Sequence, residues 1–293
     1  MDEWHVGDPA DWGDSVGVPD IPYMGYLQED EEEQQNPPRT SHERNEAWRL
    51  REDGNPELAL VKINAALRHD KGWRNYNVKA IILEDLNDFD GAIECYDTAM
   101  SKTSSQLVRD NKARLLESLS SRERYSENFD KALTLINEAL KLTADEDDRK
   151  SFLFLKTDIL ELMNRPGEAY VCCKLANKQF DLVDRYESQS RFIRDSKKTL
   201  ICIAGKDFHG PTPIPENSTV DLIKEGENVF DRDAIRVELN GKMIGYVANS
   251  QRTLVGGVKS ATQIKGRFQN KVKGKVLFKY MERYFICELM EDD

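Results

Sequence analysis

Four short segments of this chain repeat one pattern, and that repetition leaves half of the molecule little choice of fold. Asn55-Pro56-Glu57-Leu58-Ala59-Leu60, Asp88-Phe89-Asp90-Gly91-Ala92-Ile93, Asn128-Phe129-Asp130-Lys131-Ala132-Leu133 and Arg165-Pro166-Gly167-Glu168-Ala169-Tyr170 align without gaps. An apolar residue follows three positions later (Ile63, Tyr96, Ile136, Cys173), and a second alanine lies seven after the first (Ala66, Ala99, Ala139, Ala176). Small residues at i and i+7 put one slim stripe on a helix, where a neighbouring helix can approach closely. Each segment is preceded by another apolar-spaced stretch, for example Trp73, Tyr76, Ala80, Leu83 and Leu86. The unit is therefore a helical hairpin. A single hairpin cannot bury its apolar face alone, so four in a row predict a stacked array.

The alanines Ala59, Ala92, Ala132 and Ala169 are spaced by 33, 40 and 37 residues. A hairpin of about 34 residues with this alanine pattern resembles the tetratricopeptide repeat. The longer intervals depart from that period and predict that some first helices are extended. A last helix around Asp181 to Asp195 is expected to cap the array. In arrays of this kind the first helices line a concave surface. Tyr76, Lys79 and Arg114 are the candidate contacts there for an extended acidic peptide.

From Thr199 the period changes from three-to-four to two. Candidate strands are 199–204, 219–224, 233–239, 242–247, 262–268, 272–280 and 283–289, with Pro211, Pro213 and Pro215 in the loop between the first two. Many short strands with glycine turns predict a small barrel. Ile235, Val237 and Leu239 alternate with Arg236 and Glu238, and Asn240-Gly241 is the pair that a tight type I′ hairpin turn accepts. A simple two-residue turn pairs Val237 with Ile244 and Ile235 with Tyr246. The expected division is an acidic tail at 1–40, helical repeats at 41–196 and a β domain at 197–293.

Charge is distributed unevenly. The net charge is −11, yet residues 1–38 alone carry eleven acids and no Lys or Arg, while residues 197–293 carry sixteen Lys and Arg against thirteen acids. The tail has too little apolar sequence to offset chain entropy and is expected to be mostly disordered. Trp4, Trp12, Ile21, Tyr23, Met24 and Tyr26 among its acids also suit a docking peptide, and a plain solubilising role competes with that. Lys271, Lys273 and Lys275 alternate, so on a strand they share one face. Such a stripe can neutralise phosphates, or it can be an ordinary solvated face.

Several chemistries find no footing in the sequence. The apolar runs are too short to span a bilayer, and Met1-Asp2-Glu3-Trp4 does not open a secretory signal. Five cysteines without a C-x-x-C pair read as reduced thiols, so a cytoplasmic location is expected. Four histidines stand at no metal-ligand spacing, and the chain has no phosphate-binding G-x-x-x-x-G-K-[ST] loop. No enzyme and no cofactor are expected.

The segment Asn228-Val229-Phe230-Asp231-Arg232-Asp233-Ala234-Ile235-Arg236-Val237, its turn, and Gly245-Tyr246-Val247 resemble the signature of the HIRAN domain. The upstream stretch Ile201 to Gly210 fits the same pattern. This resemblance covers the last third of the chain and implies an OB-like barrel that captures the 3′-hydroxyl end of single-stranded DNA. By position it implies Phe230 as a ring stacked on the terminal base, Asp231 as the acceptor of the 3′-hydroxyl and Asn228 as its polar neighbour. It places Lys206, Phe208 and Tyr246 near the strand, and the basic stripe of Lys271, Lys273 and Lys275 beside it. Asn249 stands where a phosphate-binding lysine would be useful. The plainer alternatives are core rings at Phe230 and Tyr246 and a turn-capping acid at Asp231. The expected function is a non-enzymatic adaptor, with DNA on the barrel and a protein partner on the repeats. A pure protein-interaction scaffold is the alternative.

Overall fold

The structure is a computed structural model, and it describes residues 39–204, 213–250 and 253–290. The acidic tail, and Lys206 and Phe208 with it, lie outside the described residues. Two compact units emerge, Met1–Asn111 and Lys112–Asp293.

The expected hairpins are present. The first unit holds α1 (Arg39–Glu52), α2 (Pro56–His69), α3 (Trp73–Asp85) and α4 (Phe89–Met100), and α5 (Gln106–Tyr125) begins in it. The second holds α6 (Phe129–Leu142), α7 (Glu146–Leu162), α8 (Pro166–Ala176) and α9 (Phe180–Asp195). The repeated alanines do what their size dictates. Ala59, Ala66, Ala92, Ala99, Ala132 and Ala139 have no exposed surface, and Ala169 and Ala176 almost none. The extra residues of the longer intervals enter the first helices: α5 has 20 residues and α7 has 17, against 13 in α3.

The turn between the two helices of each hairpin is one device used four times. Gly54, Asn87, Glu127 and Asn164 all take a left-handed φ, between 55° and 75°. The residue after each donates its amide back five positions, as in Asn55 to Leu50 and Arg165 to Leu160. This is the Schellman closure, in which a left-handed residue lets the last helical carbonyls find donors. Lys178 repeats it ahead of α9, with Gln179 donating to Lys174.

The β region closes into a barrel of six antiparallel strands, in the order β1-β4-β3-β2-β5-β6. They are β1 (Leu200–Ala204), β2 (Thr219–Lys224), β3 (Ile235–Leu239), β4 (Lys242–Val247), β5 (Lys271–Tyr280) and β6 (Tyr284–Met290). One expected strand is not there. Residues 262–268 form a short helix, α10 (Ala261–Ile264), followed by a 3₁₀ turn at Lys265–Arg267. Ser260 and Gln263 make a reciprocal capping box at its start, and Ala261 and Ile264 are buried under it. A local hydrogen-bond cap at the right spacing overrides the weak alternation of that segment.

The barrel interior packs Ile201, Ile203, Val220, Leu222, Ile235, Val237, Val247, Val276 and Phe285. A second apolar cluster lies outside it, where Ile193 of α9 meets Leu200, Cys202, Tyr280, Tyr284 and Ile286. Strand β1 is thus covered on both faces, which is why it reads as a continuous apolar run rather than an alternation. Tyr186 of α9 stacks on Tyr280 at 5.4 Å, and Ser190 shares a 2.8 Å hydrogen bond with the Tyr280 hydroxyl.

Candidate functional site

The loop between β2 and β3 gathers the residues singled out by sequence. Asn228 folds its side chain over the loop: Oδ1 accepts from the amides of Phe230 (3.0 Å) and Asp231 (3.1 Å). That Asx turn leaves Val229 and Phe230 at the tip, 87% and 96% exposed. Phe230 is therefore not a core ring. Phe230 thus presents its ring almost wholly to solvent beside the equally exposed Val229.

Asp231 works inside the loop as well as at its surface. Oδ1 accepts from the Asp233 amide at 2.8 Å, and Oδ2 accepts from Nδ2 of Asn249 at 2.8 Å. Asn249 in turn accepts from the Thr262 amide at 3.0 Å, and the single proton of the Thr262 hydroxyl is shared between Asp233 at 2.7 Å and Asn249 Oδ1 at 3.0 Å. Lys265 closes the set with a 2.8 Å ion pair to Asp233 and a hydrogen bond to the Arg232 carbonyl. Hydrogen bonds from Lys265 and Thr262 hold the Asp233 carboxyl below the usual carboxylate range. The helix that replaces the expected strand at 262–268 thus supplies two side chains that fasten the loop.

Glu225 is the hub on the other side. Its carboxylate accepts from Asn228 (3.0 Å), the Tyr246 hydroxyl (3.1 Å) and Arg236 (3.3 Å). Burial alone would raise the Glu225 carboxyl, but these three donors outweigh it and hold it below its ordinary value. The Tyr246 phenol is raised, first by burial and then by its bond to that carboxylate.

The expected pairing of β3 with β4 needs correction. The Asn240-Gly241 turn forms as predicted, with φ of 53° and 79°. A bulge between Val237 and Glu238 then shifts the register, so that Val237 faces Gly245 and Arg236 faces Tyr246. Tyr246 consequently leaves the core side and stands half-buried on the outer face. Gly245 makes this possible: its φ is +150°, and a Cβ there would lie 2.5 Å from the Ala204 carbonyl oxygen.

The ladders link this loop to the basic stripe. Across the outer face, Tyr246 neighbours Arg236, Arg236 neighbours Ile223, and Ile223 neighbours Lys271. Three strand spacings separate the ends of this row, about 14 Å. Lys271 pairs with Asp221 at 2.9 Å and Lys273 approaches the same carboxylate at 3.7 Å. Lys275 sits between Thr219 and Glu288 in register. The stripe exists, but acids interleave it.

Sequence reasoning brought Asn228, Phe230, Asp231 and Tyr246 to one place. It missed Glu225, Thr262 and Lys265, and it gave Asn249 no structural part. The Ser260-x-x-Gln263 cap was the available signal for the last two helix-borne donors.

In the array, Tyr76 and Lys79 lie one turn apart on α3, both half-buried, with Lys102 over the Tyr76 ring at 5.9 Å. Arg114 is in the second unit and pairs with Asp148 at 2.9 Å. It ties α5 to α7 and so has a structural duty besides any role in binding.

No protein-family model matches the chain, and no curated protein matches it. Among solved structures it is similar to MamA, with 13% identity, 53% of this chain and 85% of that chain covered, and a TM-score of 0.37. PilF of Pseudomonas aeruginosa gives 17% identity, 53% and 64% coverage and a TM-score of 0.33. A double mutant of MamA RS-1 gives 18%, 54%, 85% and 0.35. At these scores the likeness carries no argument, and the repeat architecture rests on the hairpins, alanine stripes and turns described above.

Proposed function

We propose that the chain is a non-enzymatic adaptor whose barrel binds DNA, preferably a single-stranded 3′ end, and whose helical repeats hold a protein partner. The observation that carries the DNA half is Phe230, a ring presented to solvent on a loop fastened from both sides, with Asp231 and Asn228 next to it. Stacking on one base contributes about 1–3 kcal/mol and tolerates any sequence. A carboxylate beside the ring accepts a hydroxyl and repels a phosphate. Lys271, Lys273 and Lys275 on the same outer face add a salt-dependent share for the strand behind the end.

Fluorescence anisotropy with one oligonucleotide sequence, ending in a 3′-hydroxyl or a 3′-phosphate, tests this. The hydroxyl end binds more tightly, Asp231→Ala removes the preference, and Phe230→Ala weakens both ligands by the stacking share. Equal binding of the two ends overturns the end-reading role.

A second reading is a protein-interaction scaffold without DNA binding. It is favoured by the internal duties of Asp231, both of whose oxygens already accept hydrogen bonds, and by the acids Glu225, Glu227 and Asp233 around the loop. In that case Val229 and Phe230 are an apolar anchor for a partner protein, and no salt-sensitive DNA retention is measured.

A further inference from the structure

The second helix of the first hairpin, α2, carries an apolar face that its sister helices lack. Leu58 and Val61 are one turn apart, 56% and 64% exposed. With the repeats aligned on their alanines, the Leu58 position is Gly91, Lys131 and Glu168 in the others. The Val61 position is Glu94, Thr134 and Val171. Three repeats keep a polar or small residue at one or both places, as a solvated helix face requires. Only the first repeat puts two large aliphatic side chains there.

That repeat is also where the chain arrives from the tail. The short turn at 53–55 folds α1 back along α2, so Arg39 begins α1 beside the C-terminal end of α2. Exposed Arg68, His69 and Lys71 lie at that end. The five consecutive acids Glu29 to Glu33 come six to ten residues before Arg39. Just upstream of them, Ile21-Pro22-Tyr23-Met24-Gly25-Tyr26 is the tail's densest apolar stretch. From His69 back to Leu58 is about 17 Å along the helix axis. Residues 27–38 span up to about 40 Å when extended, so the reach is ample. Order along the chain and order along the surface agree: acids meet the basic helix end, and apolar residues then meet the apolar face.

We infer that the tail segment Ile21–Tyr26 docks on the outer face of α2 over Leu58 and Val61, with Glu29–Glu33 held beside Arg68, His69 and Lys71. The surface is distinct from the one that Tyr76 and Lys79 were expected to line, so the docked tail leaves that surface open to a partner.

The test uses the purified full-length chain with p-benzoylphenylalanine in place of Val61, irradiated and mapped by mass spectrometry. Docking gives an intrachain link to the peptide containing residues 21–26, and Tyr23→Ser with Met24→Ser lowers its yield at least fivefold. The same photoreactive group in place of Glu94 gives no such link. In a second measurement on the full chain, Leu58→Glu with Val61→Glu speeds limited proteolysis within residues 21–26 at least tenfold. Links between two chains would assign the face to a second copy and overturn the inference. So would an absent link, or unchanged proteolysis in a variant with native circular dichroism.

Discussion

The helical array and the barrel solve the same problem, burying apolar surface, under opposite rules of repetition. In the array each decision is taken four times: the same alanine pair, the same left-handed residue, the same backward hydrogen bond. In the barrel the decisions are particular to each strand pair, and register shifts occur in both β3–β4 and β5–β6. A single glycine, Gly245, permits one bulge, and that bulge reassigns Tyr246 from the inside to the outside. Repetition spreads risk, so damage to one copy is met by neighbours that remain intact. A closed ring concentrates risk, because every strand depends on two others for its backbone partners.

The comparison is tested most severely by cutting the chain where helix gives way to strand. A fragment starting at Lys197 loses Ile193, Tyr186 and Phe192, which pack on the barrel's outer cluster. Two or three large side chains at about 1.5–3 kcal/mol each amount to roughly 3–9 kcal/mol, comparable to the whole stability of a small domain. Urea titration should show a cooperative transition for residues 180–293 and little or none for 197–293. Equal midpoints would mean that the barrel stands by itself.

Next in size is Gly245→Ala, which brings a Cβ against the Ala204 carbonyl oxygen and demands a φ that side-chain-bearing residues avoid. A loss of about 2–4 kcal/mol is expected. A substitution tolerated without loss would show that the bulge has slack.

The array has singular positions of its own, and pH exposes one of them, Glu84. Burial raises its carboxyl to about 7, against the opposing hydrogen bond from the Tyr96 hydroxyl. The fold thus favours the protonated acid. Its contribution is complete below the unfolded value of about 4.3 and is lost as pH rises to about 7. Glu84→Gln should leave thermal stability unchanged at pH 4 and add up to about 3 kcal/mol at pH 8. An equal effect at both pH values would contradict the assignment.

The smallest effect belongs to the repeated turn. Glu127 occupies a left-handed conformation at φ 60° where Gly54 sits in the first hairpin. Glu127→Gly should add about 0.5–1 kcal/mol, read as a rise in melting temperature. A loss instead would assign the Glu127 side chain a contact worth more than the strain.

The same contrast explains how much of the molecule could be read from its sequence. Four aligned copies made the helices and their buried alanines legible. The Asn240-Gly241 turn was legible because its chemistry is local. The bulge was not, because the constraint that goes with it, the close approach of the Ala204 carbonyl to Gly245, comes from β1, some forty residues away in sequence. The segment 262–268 has the apolar spacing of a strand, and its serine–glutamine cap makes it a helix. At the candidate site, the polar loop residues Asn228 and Asp231 announced a turn. Nothing local announced that Asn249, Thr262 and Lys265 would arrive to fasten it.

One spacing in the array has a further consequence. Arg51 with Asp85, Asn77 with Asn111, Arg114 with Asp148 and Arg124 with Asp158 all join residues 34 apart. The alanines of the second helices, meanwhile, drift by 33, 40 and 37. The first helices therefore act as a caliper that is fixed along its shaft and free at its tips. A residue inserted at the end of α5 only lengthens the overhang. A residue inserted between Arg114 and Arg124 turns the two arginines relative to each other by about 100°, so the pairs Arg114–Asp148 and Arg124–Asp158 can no longer both form. Such an array can gain length in evolution only at its helix ends, where the drift in the alanine spacing is found.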